Sequence, residues 1–142
     1  MNFMFINCAA LTSLDVSGFN TNNVTNMASM FYACTALTAP DLSKWDVSNV
    51  TNMGQMFRSC NRFTSLDLST WNPINVTDMN NMFWYCTVTS LNISNWNTCN
   101  LIHMNDMFKE CKQLTSLNAA NMNTSKVTNM SNMFYSCNAL TS

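Results

Sequence analysis

The residues of this chain that could do chemistry are seven cysteines, one histidine, a short series of aspartates and a regular series of threonines. Six of the cysteines, Cys8, Cys34, Cys60, Cys86, Cys111 and Cys137, recur at one position of a repeated motif, 26 residues apart with one interval of 25. Side chains at one repeat position point the same way. Stacked at roughly 4.8 Å, their Cβ atoms stand farther apart than the ~3.8 Å a disulfide prefers. A column of free thiols packed as small hydrophobes is therefore expected. Zinc is not expected: there is no C-x2-C pair, and His103, the single histidine, holds a surface-type position. Cys99 lies outside the column and is the candidate for an exposed, reactive thiol.

Asp15, Asp41 and Asp67 share one outward position, continued by Asn92 and Asn118. Stacked carboxylates could hold calcium, but parallel side chains on a flat ladder converge poorly on six oxygen ligands, so solvation is favoured. Thr12, Thr38, Thr64, Thr89, Thr115 and Thr141 form a hydroxyl ladder for which plain hydration is expected. Catalysis needs groups of different type brought together in a concave site. Uniform columns and one histidine do not offer that, so no enzyme, catalytic residue, metal or cofactor is expected. N-x-S/T sequons stand at Asn23, Asn49, Asn75, Asn92, Asn123 and Asn129, where a need for caps and turns explains Asn and Thr without glycosylation.

The elements that position these residues repeat from end to end. The core M-x-x-M-F-x-x-C-x-x-L can be aligned in six copies, on Phe5, Phe31, Phe57, Phe83, Phe108 and Phe134. Met27, Met30, Phe31 and Cys34 fall at i, i+3, i+4 and i+7, which predicts one face of a short helical turn. Asn26, Asn52, Asp78 and Asn129 precede it as N-caps. Asn-Val-Thr before the cap reads as a short extended segment. After the turn, Phe63-x-x-Leu66-x-Leu68 fits the L-x-x-L-x-L of a leucine-rich strand. An Asp-x-Ser-x-Trp stretch closes the unit, with Phe19, Trp45, Trp71, Trp96 and Met122 in register. One residue is missing between Cys86 and Leu91, where a tightened turn is expected.

A period of this size predicts stacked repeats. The expected fold is a right-handed, leucine-rich-repeat-like solenoid of about five and a half coils. Each coil carries one short strand, a short helical turn and a second short extended segment. Residues 1–142 are read as one uncapped array, beginning and ending inside a repeat. Only 9% of residues are charged and the net charge is −1, so no basic surface awaits nucleic acid. The apolar runs are far shorter than the ~20 residues that span a bilayer.

The stretch LTSLDLSTWNPINVTDMNNMF, with the C-x-x-L that recurs at fixed spacing, resembles the bacterial surface protein 26-residue repeat. That is a BspA-like leucine-rich-repeat family of bacterial surface lipoproteins, including mycoplasma ones. Leu101-Ile102-His103 for Val-Thr-Asn and Met122 or Phe19 for tryptophan are the departures. The resemblance implies a module displayed outside the cell for adhesion or protein binding.

Two functional readings follow. In the first, a host or neighbouring surface macromolecule, protein or glycan, binds the outward face carrying Thr12, Asp15, Thr38, Asp41, Thr64 and Asp67. In the second, uncapped ends join copies into filaments, because an uncovered end exposes its core. The contacts would be Met4, Phe5 and Leu11 at one end and Met133, Phe134 and Leu140 at the other.

Overall fold

In each copy of M-x-x-M-F-x-x-C the backbone N–H groups take two directions in alternation. Met27, Ser29, Phe31 and Ala33 donate to the carbonyls of Asn52, Gly54, Met56 and Arg58 in the following repeat, at 2.9 to 3.0 Å. Between them, Met30, Tyr32 and Cys34 close turns onto the carbonyls three residues back, at Met27, Ser29 and Phe31. The computed structural model, which describes residues 1–142, repeats this pattern along the chain. The backbone bends because two residues per copy take the left-handed conformation. Ser29 has φ 54° and Ala33 φ 57°, and the same positions are left-handed in all the other copies. Each follows the middle of a four-residue turn, where positive φ is the mark of a type II geometry.

This arrangement overturns the expected fold class. There is no helix, and the regular strands are β1 (Ser90–Asn92) and β2 (Ser116–Asn118), three residues each. They pair in parallel as an open two-stranded sheet that does not close on itself. The remaining pairing is by single parallel bridges, such as Asn26 with Asn52 and Asn52 with Asp78. The right-handed leucine-rich-repeat solenoid, with a helical turn and a strand in each coil, is therefore not present. The physical reason lies in the spacing. Apolar residues at i, i+3, i+4 and i+7 reach one side of an α-helix, and successive tight turns meet the same requirement. An α-helix would send every N–H four residues back within its own segment. Here alternate donors go to the next repeat instead.

The side chains on the inner side of these turns and those of the segments between them form a core of 33 buried residues. Phe31, Phe57, Phe83 and Phe108 are fully buried, with neighbouring rings nearly parallel at 5.4 to 5.9 Å. That offset stacking is the preferred way to pair aromatic quadrupoles. The methionines beside them, Met30, Met56, Met82 and Met107, are also fully buried. Trp45, Trp71 and Trp96 close the opposite side, and each turns its indole N–H onto a carbonyl of the preceding repeat, at Val16, Leu42 and Leu68. A buried tryptophan needs such a partner, and the repeat supplies one at a fixed place.

Polar side chains tie the outer rim in the same way. Asn49 and Asn75 donate their amides to the carbonyls of Asn22 and Ser48, one repeat back. Thr51 and Thr77 donate to Thr25 and Thr51. The Asn26, Asn52, Asp78 and Asn129 side chains accept from the N–H two residues on, at Ala28, Gly54, Asn80 and Ser131, so these expected helix caps are turn caps.

Candidate interaction faces

The expected binding face is built on the segment after the cysteine. Thr12, Asp15, Thr38, Asp41, Thr64 and Asp67 are all exposed. Their polar atoms, however, are largely engaged with the backbone. The hydroxyls of Thr38, Thr89, Thr115 and Thr141 donate to the threonine carbonyl of the preceding repeat. Asp15, Asp41 and Asp67 accept the N–H of Ser17, Ser43 and Ser69 at 2.9 Å. The hydroxyl and N–H of each serine hold these carboxyls below their ordinary value. Asn92 and Asn118 make the same bond to Ser94 and Ala120. The carboxylates thus cap turns one by one, and no group of three or more metal-ligating side chains gathers anywhere. Further along this face two shallow, open depressions occur. The larger, about 450 Å³, is lined by Ser90, Leu91, Asn92, Ser116, Leu117 and Asn118 with Ser142. The smaller, about 280 Å³, runs from Ser65, Leu66 and Asp67 to Ser90 and Asn92.

All seven cysteines are free thiols. Those of the column donate their S–H backwards: Cys34 to the Phe5 carbonyl at 3.0 Å, Cys60 to Phe31 at 3.2 Å, Cys111 to Phe83 at 2.9 Å. Cys86 departs and reaches Cys60 at 3.6 Å, next to the shortened interval of 25. Burial pushes the Cys34 thiol up to about 11 and the Cys86 thiol to about 12. Proton-bound, buried and donating, they are structural and not nucleophilic. Cys99 is half-buried, with its N–H bonded to the Asn97 side chain. His103 is exposed, as its position suggested.

A third feature was missed by the reading of the sequence. The residue after the phenylalanine is Ile6 in the first copy and then Tyr32, Arg58, Trp84, Lys109 and Tyr135, so rings and cations alternate from the second copy on. The Arg58 guanidinium sits between two rings, 3.9 Å from the Trp84 centroid and 5.1 Å from that of Tyr32. The Lys109 ammonium lies 4.6 Å from Trp84 and 5.7 Å from Tyr135. Beside this column Tyr85 is exposed, with the Lys112 ammonium 5.9 Å from its ring. Lys109 and Lys112 are paired with Asp106 and Glu110, whereas neither Arg58 nor Arg62 meets a carboxylate. Arg58 instead donates to the Gln55 side chain at 3.2 Å. The signal was present in the sequence: after a constant Met-Phe, ring and cation alternate at this position from Tyr32 to Tyr135.

The two ends of the stack complete the inventory. Met4 and Phe134 are exposed, and Phe5, Leu11, Met133 and Leu140 are partly so. The N–H groups of Asn132, Phe134 and Ser136 find no acceptor, and the carbonyls of Asn2, Met4 and Ile6 find no donor.

No helix is long and apolar enough to cross a membrane. Comparison with curated proteins finds no match, and comparison with solved structures finds none either. One family model does match, over residues 1–116 and again over 65–142, which together take in the whole chain. The chain belongs to the family described as Mycoplasma protein of unknown function, DUF285.

Proposed function

We propose that this chain is a non-enzymatic module displayed at the cell surface, where it binds a host or neighbouring macromolecule. The observation that carries the reading is the long, regular exposed face of Thr12, Asp15, Thr38, Asp41, Thr64 and Asp67, set on a backbone rigidified by bonds between repeats. The resemblance to bacterial surface protein repeats supports surface display, and membership of a mycoplasma family agrees with it. A binding screen against matrix proteins and glycans tests it, with Asp15→Asn, Asp41→Asn and Asp67→Asn combined as the comparison. Asparagine keeps the turn cap, as Asn92 does at the same position, so the variant removes charge and leaves the backbone in place. Loss of binding in the variant is the expected result; equal binding rejects this face.

End-to-end assembly is a second reading, favoured by one observation. The idle donors at Asn132, Phe134 and Ser136 and the idle acceptors at Asn2, Met4 and Ile6 are the groups that pair between repeats elsewhere in the chain. Such a contact is heterologous and can propagate. Sedimentation over a concentration series tests it, beside Phe5→Lys with Leu140→Lys. A monomer at every concentration removes this reading.

A further inference from the structure

We propose that the column of Tyr32, Arg58, Trp84, Lys109 and Tyr135 is a docking strip for a linear, sulfated polysaccharide. This goes beyond the adhesive reading above, because it places a second site on a different side of each repeat and names the chemistry of its ligand.

Charge is divided unevenly over the molecule. Of seven acidic residues, Asp15, Asp41, Asp46 and Asp67 lie on the segments that follow the cysteines. Of six basic residues, Arg58, Arg62, Lys109 and Lys112 lie on or just after the turns. Three acids reach that side: Asp106 paired with Lys109 at 3.0 Å, Glu110 paired with Lys112 at 3.1 Å, and Asp78, which caps its turn by accepting the Asn80 N–H. Arg58 and Arg62 are left as cations without a carboxylate, on a protein whose net charge is −1. An oxyanion is the natural complement of such a guanidinium, which presents a planar fork of donors.

The rings prepare the cation for that task. Held between Tyr32 and Trp84, the Arg58 side chain loses little rotamer freedom on binding, and its faces are already shielded from water. Arg58 and Lys109 come from copies two repeats apart, yet both lie against the Trp84 ring, 3.9 and 4.6 Å from its centroid, which holds their charges within about 9 Å of each other. Oxyanions carried at intervals along a stiff, extended chain can meet both. Tyr85 and Tyr135, 45% and 58% exposed, flank the cations with apolar surface and a hydroxyl each. An acidic peptide added as a strand fits less well. A bound peptide strand needs an open sheet edge to pair with. Here the N–H groups of Phe31, Ala33, Phe57 and Ser59 are all spent on the next repeat.

The test measures binding of the intact 142-residue chain to fluorescent dextran sulfate by anisotropy, with neutral dextran and polyglutamate as comparisons. The expected result is binding to dextran sulfate that weakens as salt rises, with none to neutral dextran. Replacing Arg58→Gln with Lys109→Gln should weaken it roughly tenfold to a hundredfold, the effect of losing hydrogen bonds to charged groups. The triple aspartate-to-asparagine variant should bind as the parent does, so this proposal and the adhesive reading fail separately. No binding at low salt, undiminished binding by the folded double variant, or equal binding of polyglutamate would each overturn the assignment. If the double variant does not fold, exposed Arg62→Gln with Tyr135→Ser takes its place: weakened binding supports the strip, and unchanged binding overturns it.

Discussion

At the scale of single residues, the strongest demand the fold makes is for left-handed backbone at two positions in every copy, and none of these twelve residues is glycine. An L-residue there costs roughly 1–2 kcal/mol, offset at Ser29, Ala33, Gln55 and Ser59 by the hydrogen bond that its own N–H makes to the next repeat. Ser59, at φ 59°, donates its N–H to Trp84 at 2.8 Å. Ser59→Gly should therefore raise the melting temperature modestly, and Ser59→Val should destabilise by about 1–2 kcal/mol, since a β-branched side chain tolerates positive φ worst. Urea titration of both variants checks the signs. The thiol column makes a second prediction. The Cys34 and Cys86 pKa values are raised above the ordinary 9.0, to about 11 and about 12, so the folded chain keeps protons that the unfolded chain releases. Stability is then full below pH 9 and falls as pH rises from 9 towards 11 and 12. The slope is about 1.4 kcal/mol per pH unit for each such thiol. Alkaline unfolding followed by tryptophan fluorescence should show the fall, and Cys86→Ala, compared at the same pH values, should make it shallower.

At the scale of elements, the turn, the phenylalanine stack and the tryptophan closure are coupled, because each bond reaches one repeat forward or back. Phe57 stacks on Phe31 and Phe83, at 5.9 and 5.5 Å, with no solvent exposure. Phe57→Ala should cost about 3–5 kcal/mol, as expected for an aromatic removed from a packed core. Phe134, 44% exposed and stacked on one side only, should cost far less when changed likewise. Chemical denaturation of the two variants separates them. The helix expected over Met27–Cys34 does not form, so far-UV circular dichroism should lack the paired helical minima, whatever the apolar spacing suggests. Periodicity reports which side chains face inward, and two backbone paths satisfy it. What distinguished them, the exit of alternate N–H groups towards another repeat, is a relation between segments 26 residues apart that no window of eight residues contains.

At the scale of the whole molecule, protection against exchange should follow the bonds between repeats. Amides of Phe31, Ala33, Phe57 and Ser59 should exchange slowly, and those of Asn132, Phe134 and Ser136 at once in a monomer. Hydrogen exchange by NMR at two concentrations checks this, and protection appearing at the second group on concentration would mark end-to-end association.

The sequence by itself determined the period of 26, the residues in each apolar column and, in the inner copies, the burial of the column methionines, phenylalanines and cysteines, because side-chain chemistry repeated in register leaves little choice of what is buried. It also determined the exposed threonine and aspartate face. Only the tertiary structure decided the backbone path, a succession of left-handed turns in place of helix and strand, since hydrogen-bond direction is set by the neighbouring repeat. It likewise decided that Arg58 lies between Tyr32 and Trp84, a contact among residues 26 positions apart that exists only once successive repeats are in register.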